Sequence, residues 1–244
     1  MQDYAKLSAR GLLALFSSPR YGSEILAQMD ALGVGSLPIV VLTGMFTGMV
    51  LALQSAASLD AFGARPYVGR LVCVSMVREL GPVLTALMVT GRVCSGMAAE
   101  LGSMVVTQQI DALRVLGSDP VRKLVTPRIT AGIAMVPVLT VISDMLGIFG
   151  GALISIFSLK LSWPYYWRNV ADSLVYNDLI MGLTKPLAFG FILTSVGCYK
   201  GLNTRGGTQG VGAATTESVV VASVFILGSD FFMTKILLLL FPVT

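Results

Sequence analysis

Several charged side chains stand inside stretches otherwise apolar enough to cross a bilayer, above all Arg78, Glu79, Asp144, Lys185 and Asp230. A lone charge at membrane depth costs about 2.5–3.5 kcal/mol on insertion scales. Such groups face a bundle interior or a watery cavity and pair with one another. Counted at about 1.5 Å of helix per residue, Arg78, Glu79, Lys185 and Asp230 fall at overlapping depths, about 10–20 Å from one end of their spans. Two cations and two anions on three helices allow two uses. They form an ion-pair network that fixes helix register, or they form the polar floor of a substrate cavity, and the two are compatible. Two prolines favour a cavity wall. Pro82 lacks the N–H that would bond the carbonyl of Arg78, and Pro186 leaves the carbonyl of Gly182 free in the same way. Asp144 lies deeper and its role is open.

Other chemistry is poorly provided for. The chain has no histidine, which removes the commonest metal ligand and general base. Cys73, Cys94 and Cys198 are scattered through apolar segments without metal-ligand spacing and read as small packing residues. No GxxxxGK[ST] phosphate loop occurs, so any ATP that powers this chain is hydrolysed by a separate polypeptide. No nucleophile–base pair is evident beyond a bare Asp144/Asp230 combination. The expectation is a non-enzyme with no metal and no cofactor of its own. The net charge of +4 calls for no nucleic-acid partner, because excess Lys and Arg in such a chain mostly set topology.

The elements that must hold the charges follow from composition. Of 244 residues, 55% are hydrophobic and 12% charged, about half the charge of a soluble domain. Mean hydropathy is +0.80. Five stretches reach the roughly 20 residues that a span needs: Leu37 to Leu59, Pro66 to Ala98, Thr130 to Phe157, Leu179 to Tyr199, and Val219 to Phe241. Residues 1–35 carry two short amphipathic patterns, Leu7, Leu12, Leu15, Phe16 and then Ile25, Leu26, Met29, Leu32. They suit an N-terminal interfacial segment, retained rather than cleaved, ahead of a five-span domain at 36–244. With the N-terminus in the cytoplasm, ten loop cations lie inside (Lys6, Arg10, Arg20, Arg92, Arg114, Arg122, Lys123, Arg128, Lys200, Arg205). Four lie outside (Arg65, Arg70, Lys160, Arg168), and the C-terminus ends outside. Trp163, Tyr165, Tyr166 and Trp167 read as an interfacial aromatic belt on a short helix. Gly44 and Gly48, like Gly147 and Gly151, are spaced for close helix packing.

The connection at about 99–128 is the second functional segment. Val105, Val106, Gln109, Ile110, Leu113 and Leu116 fall at helical spacing, and Gly117 with Pro120 marks the stop. Such a helix either lies on the membrane or docks into a partner's groove.

The run Arg78-Glu-Leu-Gly-Pro-Val-Leu-Thr-Ala-Leu-Met-Val-Thr-Gly-Arg92, followed by Ala99-Glu-Leu-Gly-Ser-Met104, Thr107-Gln-Gln-Ile-Asp-Ala-Leu113 and Asp119-Pro120, resembles the MlaE-type permeases. Gly33-Val-Gly-Ser-Leu-Pro-Ile39, Phe46-Thr-Gly-Met-Val50 with Gln54, and Leu227-Gly-Ser-Asp230-Phe231 extend the resemblance over nearly the whole chain. It implies an all-α membrane protein with an N-terminal interfacial helix, five transmembrane helices, a cytoplasmic coupling helix between spans 2 and 3, and an exporter-like ABC transmembrane fold. It implies a multi-pass permease of the bacterial inner membrane that moves phospholipid between inner and outer membranes and maintains outer-membrane lipid asymmetry. The implied partners are a second copy of the chain, a cytoplasmic ABC ATPase that carries ATP and Mg, a periplasmic MCE-domain ring and a STAS-domain protein. By the same resemblance Glu100, Gln109, Ile110, Asp111, Leu113, Arg114 and Leu116 belong to the coupling segment. Arg78, Glu79, Lys185 and Asp230 match the intramembrane charged set, and Leu51, Gln54, Phe62 and Leu80 match positions near bound lipid. The rival from another class is an ATP-independent channel or proton-coupled carrier that uses the buried charges as a relay.

Overall fold

The computed structural model describes Tyr4, residues 7–11 and residues 22–240. Every regular element among them is helical. In chain order they are α1 (Gly22–Asp60), α2 (Arg65–Val106), α3 (Gln109–Val115), α4 (Val121–Phe157), α5 (Trp163–Ser173), α6 (Tyr176–Leu202) and α7 (Gly207–Leu240). The five longest, α1, α2, α4, α6 and α7, are each long and apolar enough to cross a membrane. All five expected stretches are therefore present, each lengthened at one or both ends. Phe241 and the first amphipathic pattern beyond Leu7 lie outside the described residues.

One expectation changes. Ile25, Leu26, Met29 and Leu32 do not make a separate interfacial helix. They are the first turns of α1, which runs unbroken for 39 residues. No strong breaker interrupts Gly22 to Leu37, and Pro38 is carried inside the helix. A proline there forfeits one backbone hydrogen bond, an amount that long apolar packing offsets.

Two wide turns interrupt α2. Met76–Leu80 and Thr90–Cys94 are π-helical, with the Gly81 N–H bonded back to the Met76 carbonyl. A π turn inserts an extra residue into the helix and often marks a functional position. Here each one carries an arginine, Arg78 in the first and Arg92 in the second.

The chain divides into two compact units. One comprises residues 1–36, 86–136 and 187–229; the other comprises 37–85, 137–186 and 230–244. In the first, Leu101, Val125, Ile129 and Cys198 form a buried apolar core, with a second at Cys94, Val196 and Ala222. In the second, Ala52, Ala56, Val68, Val72 and Met76 make one core, and Cys73, Val77, Ile148, Ala152, Tyr166 and Val170 make another. Here α1 and α4 come into backbone contact. A Cβ on Gly48 would collide with the Gly147 carbonyl, and one on Gly44 would stand 2.7 Å from Ser143 Oγ. The small-residue spacing read from the sequence thus serves intramolecular packing. The aromatic cluster does fall on a short helix, α5, and the Tyr166 hydroxyl donates to the Ile148 carbonyl at 2.9 Å.

Candidate functional site

The charged residues converge in the second unit. Lys185, on α6, is 1% exposed. Its ammonium donates to Glu79 Oε2 at 2.5 Å and to the Arg78 carbonyl at 3.0 Å. It also stands 3.1 Å from Asp230 Oδ1 of α7. The second of these contacts answers the proline argument. Pro82 leaves the Arg78 carbonyl without its helical donor, and Lys185 takes that acceptor. An ammonium has three N–H donors; Lys185 donates two of them to Glu79 and the Arg78 carbonyl and pairs with Asp230 by charge, although Asp230 Oδ1 accepts no hydrogen bond. The Thr234 hydroxyl, one turn beyond Asp230, donates to Glu79 Oε1 at 3.2 Å.

Arg78 pairs with a residue not anticipated from the sequence. Its Nε donates to Asp178 Oδ1 at 2.6 Å, and Nη2 lies 2.5 Å from the same oxygen. Asp178 is 1% exposed. It occupies the first turn of α6, where a carboxylate complements the helix dipole, and its Oδ2 accepts the Val175 N–H at 3.3 Å. The expected fourth stretch starts at Leu179, one residue past it. A carboxylate at the mouth of a span, with an unmatched arginine in a neighbour, was the available signal. Thr234 gave none, because a threonine in an apolar helix usually bonds its own backbone.

The set therefore holds two cations (Arg78, Lys185) and three carboxylates (Glu79, Asp178, Asp230). They are not equally buried. The side chains of Arg78, Glu79 and Asp230 are 23%, 43% and 19% exposed. Arg78 and Glu79, with Lys185, Ser75, Thr234 and the apolar Leu237 and Leu238, line a cavity of about 270 Å³. One wall is ionic and the other hydrocarbon. The volume suits a polar head group rather than a whole lipid, since pockets for small ligands run about 300–1,000 Å³.

Asp144 does not join this set. It is buried at 8% exposure in α4, and its Oδ1 has no hydrogen-bond partner. The oxygen lies so close to Gly81 that a Cβ there would overlap it. Of the four positions matched to bound lipid, Leu51 and Leu80 pack on the core at Val68 and Val72. Gln54 is exposed on α1, and Phe62 is 84% exposed in the turn after it. None of the four lines the cavity.

The connecting segment folds differently from a single helix over 105–116. The last α2 turn ends at Val106, Gln108 takes the left-handed region (φ 57°), and α3 is a seven-residue helix from Gln109 to Val115. Gly117 ends it as expected, with φ 72°. Its N–H bonds the Arg114 carbonyl, and the Ser118 N–H bonds the Leu113 carbonyl, the pattern of a Schellman stop. Ile110 is buried, whereas Val115 and Leu116 are 88% and 78% exposed. Asp111 and Arg114 pair on the surface at 2.8 Å. Glu100 sits apart from α3, in α2, where Oε2 pairs with Arg128 at 2.8 Å. Among the described residues no cluster of side chains is arranged to hold a metal.

A family model described as Permease MlaE matches residues 25–236. A probable ABC transporter permease protein of Rickettsia typhi is 41% identical over 234 residues, covering 96% of this chain and 90% of the relative. The intermembrane phospholipid transport system permease protein MlaE of Haemophilus influenzae is 37% identical over 214 residues, covering 87% and 82%. The chloroplastic protein TRIGALACTOSYLDIACYLGLYCEROL 1 of Arabidopsis thaliana is 33% identical over 229 residues, covering 94% and 65%.

Proposed function

The chain belongs to the MlaE permease family, a family of ABC transporter permeases, and we propose that it carries phospholipid between the inner and outer membranes of a diderm bacterium. The observation that carries the reading is the Lys185 hub. A fully buried ammonium holds Glu79 and the Arg78 carbonyl and pairs with Asp230, and Arg78, Glu79 and Lys185 line a cavity with one charged and one apolar wall. That pairing of surfaces suits an amphiphile: polar groups meet the head group, and acyl chains lie against hydrocarbon.

In this reading two copies of the chain enclose the lipid. The exposed apolar side chains of α1 and α7, among them Phe46, Val50, Phe231 and Ile236, give each copy a hydrocarbon face. The N-terminus is cytoplasmic and the C-terminus periplasmic, in a fold related to exporter-like ABC transmembrane domains. A cytoplasmic ATPase grips α3, whose Val115 and Leu116 are free to enter a groove. A STAS-domain protein accompanies the ATPase. ATP-driven closure passes through α3 to the spans and collapses the cavity, so that lipid passes to or from a periplasmic MCE ring. The step works only if lipid contacts differ between the open and collapsed states, since equal binding shifts no equilibrium.

The test is charge reversal. Glu79→Arg or Lys185→Asp should compromise outer-membrane integrity far more than Asp111→Ala, and a normal barrier in cells carrying only the reversals would remove the site. Ile110→Pro should release the ATPase on purification, and undiminished co-purification would remove the docking role.

A further inference from the structure

The second arginine-bearing π turn has a cavity of its own, wholly within the first unit. It measures about 300 Å³ and is lined by Gln28 and Leu32 of α1 and by Arg92, Gly96, Met97 and Glu100 of α2. Arg92 is held rather than loose. Nη1 donates to the Ala31 carbonyl at 3.2 Å and to Ser36 Oγ at 3.1 Å, and Ser36 is fully buried. The guanidinium lies on Gly35, where any Cβ would collide with it. Of its five N–H donors, the two on Nη1 are engaged. Those on Nε and Nη2 are the fork that takes a phosphate in bidentate fashion.

Glu100 lies eight residues on, about two turns and about 12 Å of rise along the same side of α2. Its Oε2 is occupied by Arg128, and no partner for its Oε1 stands among the described residues. The cavity thus offers a fixed cation at one end and, at the other, a carboxylate whose second oxygen has no partner among the described residues, with Gln28 in its lining. A simple anion would meet the carboxylate as a repulsion, and a simple cation would meet the arginine. A ligand carrying both charges satisfies both ends. Val34, three residues from Ala31 on α1, and Leu26 are 60% and 67% exposed, so hydrocarbon surface flanks the site.

We propose that this cavity binds the zwitterionic head group of a phospholipid, with phosphate on Arg92 and ammonium on Glu100, at a site separate from the Lys185 cluster. The assignment rests on the phospholipid reading of the chain and narrows it to the phosphoammonium class. It gives the permease a second station for the lipid, in the unit that carries α3.

The experiment is native mass spectrometry of the purified protein. It is titrated with phosphatidylethanolamine or phosphatidylglycerol and compared with Arg92→Gln, Glu100→Gln, Gly96→Leu and Lys185→Gln. Gly96→Leu guards against misfolding, because a Cβ at Gly96 meets nothing within 4 Å and the added side chain simply fills the cavity. Arg92→Gln and Gly96→Leu should each lower phosphatidylethanolamine retention about tenfold, the loss of one charge-assisted contact. Glu100→Gln should erase the preference for phosphatidylethanolamine over phosphatidylglycerol. Unchanged retention in Arg92→Gln and Gly96→Leu, with a loss in Lys185→Gln, overturns the second station and leaves the main site standing. Equal loss of both lipids in Glu100→Gln overturns the zwitterion. Displacement of the lipid by inorganic phosphate alone assigns the site to the free ion and overturns the lipid. A wild-type protein that retains neither lipid overturns the phospholipid reading and this site with it.

Discussion

Replacing Lys185 by methionine keeps most of the side-chain volume and removes only the ammonium. The fully buried nitrogen donates to Glu79 Oε2 at 2.5 Å and to the Arg78 carbonyl at 3.0 Å, and pairs with Asp230 Oδ1 at 3.1 Å. Glu79 is 43% exposed, so water takes over much of its lost partner and its share is set aside. The Arg78 carbonyl has no helical donor because of Pro82, and Asp230 is only 19% exposed. The orphaned carbonyl costs about 1–3 kcal/mol and the uncompensated Asp230 charge about as much, for a loss of about 3 kcal/mol in all. That lowers a thermal midpoint by roughly 6–12 °C in a chain of this size. The assay is thermal unfolding in lipid nanodiscs, followed by a cycle with Asp230→Asn. Once the lysine is gone, neutralising Asp230 should restore part of the loss, a coupling of about 1 kcal/mol or more. A Lys185→Met midpoint equal to wild type, or a strictly additive cycle, refutes the claim that the cluster is a mutually dependent network.

Further outcomes follow from single contacts. Gly48→Val drives a branched side chain into the Gly147 carbonyl and should abolish accumulation of folded protein; recovery at wild-type yield in a monodisperse peak would contradict the α1–α4 contact. Asp144→Asn keeps the shape while removing an ionisable group whose buried oxygen has no partner, and should raise the thermal midpoint. A lowered midpoint together with lost transport would instead show that the carboxylate works. Leu116→Glu places a charge on the exposed tip of the connecting segment and should reduce ATPase co-purification at least as much as Asp111→Ala, with no fall in the permease's own midpoint.

The spans were legible because each is a long apolar run bounded by charge or by Gly and Pro. The charged set was legible because a membrane makes every ion conspicuous. What the sequence could not supply was pairing. Arg78 and Glu79 are adjacent in sequence yet choose different partners, and the π turn that separates their directions leaves no mark on the residue pattern. Asp178 escaped because it stands one residue outside an apolar run, although it is more deeply buried than Glu79. The boundary of α3 was misjudged at its start because the apolar stripe continues through Val105 and Val106 into α2, and only the left-handed Gln108 divides them. Its end was read correctly, since a glycine followed by a proline leaves few alternatives. The second amphipathic pattern merged into α1 because a polar face at 23–30 does not forbid a helix from continuing. Arg92 was counted as a loop cation, and its place in a walled cavity emerged only from the three-dimensional fold.

The most direct test is to extract the complex from membranes, quantify bound phospholipid, and repeat after ATP addition. Phospholipid should accompany the wild-type chain, fall on ATP-driven closure, and be depleted from the start in Lys185→Asp. A complex that carries no phospholipid, or whose lipid content ignores both ATP and the loss of Lys185, would contradict the account.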